Sequence, residues 1–146
     1  MTTQIDADPQ TLFARLLRRT VRTEDGCWRF TGGVNSRGYV NVSAGRRGLM
    51  ILGHRLAILA RDGDIPDGMT VDHQCHDSHT CRLDADCPHR RCVNPAHLKV
   101  MSMRDNAARK WESGLCAEGH ELTRRATGRR QRECLVCKRE KYGRTP

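Results

Sequence analysis

Four cysteines and five histidines fall within the 25 residues from His73 to His97, and two further pairs follow, Cys116 with His120 and Cys134 with Cys137. This density of sulfur and imidazole donors restricts the fold more than any other feature of the 146-residue chain. A disulfide framework would suit an oxidising compartment, whereas cysteines interleaved with histidines read as metal ligands. Zinc takes four soft or borderline donors in a tetrahedron, so the His73 to His97 stretch holds either two sites or side chains with another task. Cys116-x3-His120 and Cys134-x2-Cys137 supply two close pairs across a loop, a set that needs no preformed core. They predict a separate C-terminal zinc knuckle.

The composition explains why such bracing is needed. Only 37% of the residues are hydrophobic and 4% aromatic, so burial alone would stabilise a chain of this length marginally. Twenty-six Lys and Arg stand against 17 Asp and Glu, a formal net charge of +9, which points to a polyanionic partner. No segment approaches the roughly 18 to 20 apolar residues of a membrane span, and the start lacks the basic-then-apolar pattern of a secretory signal. The expectation is a chain that works in the cytoplasm, with no membrane partner.

Hydrophobic spacing divides the chain. Residues 8 to 21 predict an amphipathic helix, with Asp8 as cap, Pro9 in the first turn and Leu12, Phe13, Leu16 and Leu17 on one stripe. Short extended runs over residues 27–30, 38–42 and 49–51, separated by glycine-rich turns, predict a three-stranded antiparallel meander. Helical spacing resumes over residues 53–61 and again after Ser102, whose partner Asp105 makes a weak form of the capping box, as far as about residue 111. Residues 116–146 then carry nine Lys and Arg against four Glu, and read as a basic module of their own.

The order of several short motifs resembles a known family. Val71-Asp72-His73-x-Cys75, then Cys92-x-Asn94-Pro95-x-His97-Leu98, then Ser102-x-x-Asp105-Asn106-x-x-Arg109 is similar to the HNH or His-Me finger endonucleases, in particular the phage HNH group and the His-Cys box homing endonucleases. The lead-in Gly53-His54-Arg55-Leu56-Ala57, followed by Ile65-Pro66-x-Gly68, resembles phage members too. The resemblance covers roughly residues 25 to 111, and its ordered combination is more specific than any single pair.

The resemblance implies an α+β fold: a small zinc-stapled ββα-metal finger preceded by an antiparallel sheet, with the C-terminal zinc knuckle appended. Residues 1–24 would form the N-terminal helix, 25–113 the nuclease domain and 114–146 the basic knuckle. By analogy with the His-Cys box, Cys27, Cys75, Cys92 and His97 would hold one structural zinc. Cys81, Cys87 and His89, with His76 or His79, would complete a second, and Cys116, His120, Cys134 and Cys137 a third, giving two or three zinc ions per chain.

A phosphodiester is cut when water loses a proton and attacks in line while a cation absorbs the developing charge. Histidine, with an ordinary pKa of about 6.5, suits the first task, and the resemblance selects His73; the other reading makes His73 itself a zinc ligand. Magnesium, or Mn2+ or another divalent ion in its place, prefers oxygen donors. The family pattern matches Asn106 and Asp72 to that role. In a regular strand Asp72 and His73 face opposite sides, so their joint use requires a bulge or twist. Asn94 matches the middle letter of the motif, which holds the finger loop. Arg55, Arg104, Arg109 and Lys110 are the candidate phosphate contacts, and His54 stands open between a DNA contact and packing. The implied function is a metal-dependent endonuclease on double-stranded DNA, in a bacterial or phage-infected cell, as monomer or homodimer. The alternatives are a zinc-containing DNA-binding protein without catalysis and a zinc-stapled protein- or RNA-binding module.

Overall fold

The computed structural model describes residues 7–45, 48–77, 85–109, 114–116, 118–124 and 132–143. Helix α1 (Pro9–Leu17) starts as the sequence predicts: Asp8 accepts from the Thr11 amide at 2.8 Å, Pro9 fills the first turn, and Leu12 and Leu16 are buried. It ends with its hydrophobic stripe at Leu17, four residues before the end of the expected range. Thr20 and Val21, β-branched and poor helix formers, instead open strand β1 (Thr20–Arg22), which pairs antiparallel with β2 (Trp28–Phe30). Residues 27–51 therefore form no three-stranded meander. Trp28–Phe30 pairs backwards with β1, and β3 (Asn41–Ser43) pairs with β4 (Met50–Leu52) in a second hairpin. The physical cause is burial: Phe30 joins Leu12 and Leu16 in one core cluster through the backward pairing.

Helix α2 (Gly53–Asp62) leaves β4 directly, with the Gly53 amide bonded to the Val40 carbonyl at 2.8 Å, and stops at Gly63 in a left-handed conformation, φ +84°. Leu56 is fully buried against α1 and the β3–β4 hairpin, whereas Ala57 and Ile58 face a second cluster with Ile65, Val71 and Leu98. Each such leucine or isoleucine contributes about 1.5–3 kcal/mol by leaving water.

The second cluster is roofed by strand β5 (Met69–His73), which pairs antiparallel with β6 (Leu98–Ser102) in unbroken register from Met69 opposite Ser102 to His73 opposite Leu98. Helix α3 (Met103–Arg109) follows β6 and packs across both strands. Ser102 and Asp105 make half of the capping box suggested by their spacing: the Asp105 amide donates to Ser102 Oγ at 3.0 Å, while that hydroxyl itself donates to the Asp105 carboxylate at 2.8 Å. Towards the C-terminus lie the short pair β7 (Thr123–Arg124) and β8 (Arg132–Glu133) and helix α4 (Leu135–Tyr142), none of whose residues is buried. The protein is thus a small α+β structure of short antiparallel hairpins. No described helix is long and apolar enough to cross a membrane.

Candidate functional site

Two loops meet below the end of β5. Cys27 precedes β2, Cys75 follows β5 by two residues, Cys92 sits just beyond a single 3-10 turn (Pro88–Arg91), and His97 closes another (Pro95–His97). Their donor atoms all lie within 4.8 Å of one another. His97 Nδ1 is 3.6 Å from Cys27 Sγ and 3.7 Å from Cys92 Sγ. A tetrahedron with metal–sulfur bonds near 2.3 Å and metal–nitrogen bonds near 2.0 Å has edges of about 3.5–3.8 Å, whereas a disulfide would bring two sulfurs to about 2.05 Å. The cysteines are free thiols at tetrahedral spacing. Their ionisation fits the same use. Cys92 is pushed down to about 4 because Cys75 donates to it, the same bond raises Cys75, and burial pushes Cys27 up to about 11. A bound dication would displace the thiol protons.

Backbone geometry closes this cluster tightly. Gly26 adopts φ +76°, and a Cβ there would lie 3.3 Å from the His97 ring. Asn94 ties the two loops together: its Nδ2 donates to the Gly26 carbonyl at 2.8 Å and its Oδ1 accepts from the Ala96 amide at 3.0 Å. The side chain thus bridges the two loops.

Two further donor groups assemble. Cys116, His120, Cys134 and Cys137 lie within 4.8 Å of one another, with Cys116 Sγ 3.7 Å and His120 Nδ1 3.3 Å from Cys137 Sγ. Amides of Glu118 and Cys137 point at Cys116 Sγ and Cys134 Sγ, both at 3.3 Å. His76, Cys87 and His89 form the other group, with Cys87 Sγ 3.3 Å from His76 Nδ1 and 3.6 Å from His89 Nδ1. Cys81 and His79 lie outside the described residues. Among the described residues, three Cys/His clusters could hold zinc.

His73 belongs to none of the clusters among the described residues. It is 6% exposed, and its Nε2 lies 3.1 Å from the Cys92 carbonyl oxygen. A carbonyl only accepts, so the proton sits on Nε2 and the lone pair on Nδ1. Burial holds the pKa of His73 below its ordinary value. The ring lies against Tyr39, 6.1 Å away and near-parallel, and edge-on to His54 at 4.9 Å. His54 is 7% exposed, burial pushes it down to about 3, and its Nδ1 is buried without a partner. From sequence Tyr39 reads only as part of an extended run and His54 stands open between a DNA contact and packing; the structure packs both rings against His73.

The remaining candidates are distributed differently from their expected roles. Because β5 stays in register through His73, no bulge turns Asp72 and His73 to one face, and the two side chains leave opposite sides of the strand. Asp72 accepts from Gln74 Nε2 at 2.8 Å and pairs with the Arg109 guanidinium. Arg109 also donates to the carbonyls of His73 at 3.0 Å, Gln74 at 3.2 Å and His76 at 3.3 Å. Expected to meet phosphate, it instead staples the end of α3 to the loop after β5, because the strand end leaves three carbonyls and a carboxylate within its reach. Arg55 makes only a long contact, 3.5 Å to the Met69 carbonyl. Asn106 is half-buried on α3, Arg104 is exposed, and Lys110 lies outside the described residues.

No family model matches the chain, and no solved structure matches it. Two proteins of Escherichia phage T7 are similar to it. Protein 2.8 is 28% identical over 109 residues, covering 75% of this chain and 66% of that protein, and Protein 7.7 is 33% identical over 106 residues, covering 70% of this chain and 68% of that protein. The chain spans about two thirds of the length of each, and neither name carries an activity. With a third of the aligned residues identical over more than two thirds of both chains, this protein belongs to the family of phage T7 Protein 7.7.

Proposed function

We propose that this protein is a metal-dependent DNA endonuclease of the HNH class, in which β5, β6 and α3 form the ββα finger and His73 activates water. One observation carries the reading: His73 stands outside the cation clusters, with Nε2 anchored on the carbonyl of Cys92 and Nδ1 left as a neutral base. Histidines that serve only as zinc ligands turn a ring nitrogen to the cluster, and this one does not. The clamp at Cys27, Cys75, Cys92 and His97 supports the same reading, because it holds both the strand end that carries His73 and the carbonyl that orients it.

In this scheme Nδ1 of His73 accepts one proton from water as the water oxygen bonds to phosphorus. The bond from phosphorus to the 3′ oxygen breaks, and that oxygen takes a proton from solvent, leaving 5′-phosphate and 3′-hydroxyl ends. Asn106, with an amide oxygen, would hold a Mg2+ whose charge stabilises the departing oxygen. Asp72 could join it only if Arg109 released the carboxylate. Arg104 offers an exposed guanidinium to the duplex, and the formal charge of +9 supports a polyanionic partner. The zinc-loaded protein should nick supercoiled plasmid in Mg2+, and His73→Ala should slow nicking about 10²–10⁴-fold while leaving the zinc content unchanged.

Two observations favour a second reading, a zinc-containing DNA-binding protein without catalysis: Arg109 occupies the Asp72 carboxylate, and His73 is only 6% exposed. Wild type that binds duplex DNA but never cuts it, under any divalent cation, would establish that reading and end the first.

A further inference from the structure

The His76, Cys87 and His89 cluster has no role in the hydrolysis scheme, yet it is built into the surroundings of His73 on two sides. His76 sits in the turn that leaves β5, its amide bonded to the His73 carbonyl at 3.1 Å, and its own carbonyl receives Arg109. His89 lies in the 3-10 turn Pro88–Arg91, where its carbonyl accepts from the Cys92 amide at 3.0 Å; the Cys92 carbonyl in turn holds His73. His89 also places a donor within 4.8 Å of Cys27, so this cluster borders the clamp.

The neighbouring Arg90 makes the third connection. Its guanidinium lies over the Tyr39 ring, 5.2 Å from the centroid, and donates to the Arg37 carbonyl at 2.6 Å. Tyr39 in turn stacks on His73. The chain before this turn presses on the same loop: Gly38 has φ +79°, and a Cβ there would come within 1.9 Å of the Ala85 carbonyl oxygen. Ala85 and Arg90 thus lie against the 35–39 loop, and the donor cluster links Cys87 and His89 to His76 at the end of β5. Arginine stacked on an aromatic ring holds that ring only as well as its own backbone is held.

We propose that cation binding at His76, Cys87 and His89 regulates the candidate site: by fixing the Pro88–Arg91 turn it seats Arg90 on Tyr39, and Tyr39 holds the ring of His73 in place. A soft divalent ion such as zinc is the ligand, given one thiol and two imidazoles. The site is then assembled only when this cluster is loaded, independently of the cation at the cleavage step. The inference rests on His73 as the acting base, and its structural part is measured without cleavage.

The full-length zinc-loaded chain, His89→Asn and Arg90→Gln are compared by zinc content, by the imidazole 15N–1H signals of His73, and by plasmid nicking in Mg2+. His89→Asn is expected to lose one zinc equivalent, to shift and broaden the His73 signals, and to slow nicking about fivefold or more. Arg90→Gln touches no donor atom, so it should keep every zinc and still shift the His73 signals, with nicking about threefold slower or more. A His89→Asn protein that keeps the full zinc complement overturns the inference. So does one that loses a zinc with His73 signals and nicking as in wild type, and so do unchanged His73 signals in Arg90→Gln. Wild type that does not nick overturns the endonuclease reading instead, while zinc content and His73 signals still decide the coupling.

Discussion

The clamp at Cys27, Cys75, Cys92 and His97 and the knuckle at Cys116, His120, Cys134 and Cys137 have similar donors but opposite surroundings. In the clamp, Cys27 and Cys92 are fully buried, and the loops that carry them run between hairpins that share an apolar core. In the knuckle every ligand is partly exposed and helix α4 buries nothing. The clamp adds to a core that exists without it. The knuckle has no described core, so donor chemistry is its main source of order. The same coordination set can therefore be a brace in one place and the whole scaffold in another.

Four experiments would break or sharpen that contrast. The largest effect should come from chelation: residues 114–143 should lose amide protection completely, while the core around Leu56 keeps part of its protection, since a structural zinc supplies about 10–16 kcal/mol to a coreless finger. Hydrogen exchange with and without chelator reads this, and retained protection in the knuckle would break the comparison. Next, Leu56→Ala should cost about 2–5 kcal/mol in the main unfolding transition, whereas Cys137→Ser should remove one zinc and leave that transition in place; both are read by thermal denaturation with metal analysis. Asn94→Ala leaves the Gly26 carbonyl and the Ala96 amide without their partner, and should cost about 1–3 kcal/mol by denaturant titration.

The smallest effect concerns pH. His54 is held near 3 when folded against an ordinary 6.5, so the unfolded chain binds the extra proton first. Stability attached to its neutral ring is complete above about 6.5 and falls as the pH drops towards 3, by up to about 1.4 kcal/mol per pH unit. His54→Phe, with zinc saturating in both proteins, should flatten the slope between pH 6.5 and 5.5 by about 1 kcal/mol per pH unit. Equal slopes would show that His54 does not carry this term.

Local patterns were legible where a single element decides the outcome. Asp8, Pro9, Leu12 and Leu16 announce α1, Ser102 and Asp105 announce the start of α3, and the spacing of Cys116, His120, Cys134 and Cys137 announces a donor group. The ends of elements and the pairing of strands were not legible. Thr20 and Val21 fall within the expected helix range 8–21 and form a strand in the fold, because pairing with Trp28–Phe30 puts Phe30 into the core.

The candidate site divides in the same way. Residue types and their order determined which side chains could bind a cation and which histidine was worth watching, because ligand chemistry is a property of the side chain. Only the tertiary structure decided that Arg109 turns inward to Asp72, that Asp72 and His73 part to opposite faces, and that Tyr39 and His54 pack against the imidazole, with Arg90 over Tyr39. Those outcomes depend on strand register and on contacts between residues as many as 53 positions apart, as with Arg90 and Arg37. Such contacts are set by which surfaces can be buried together, and no local spacing encodes that.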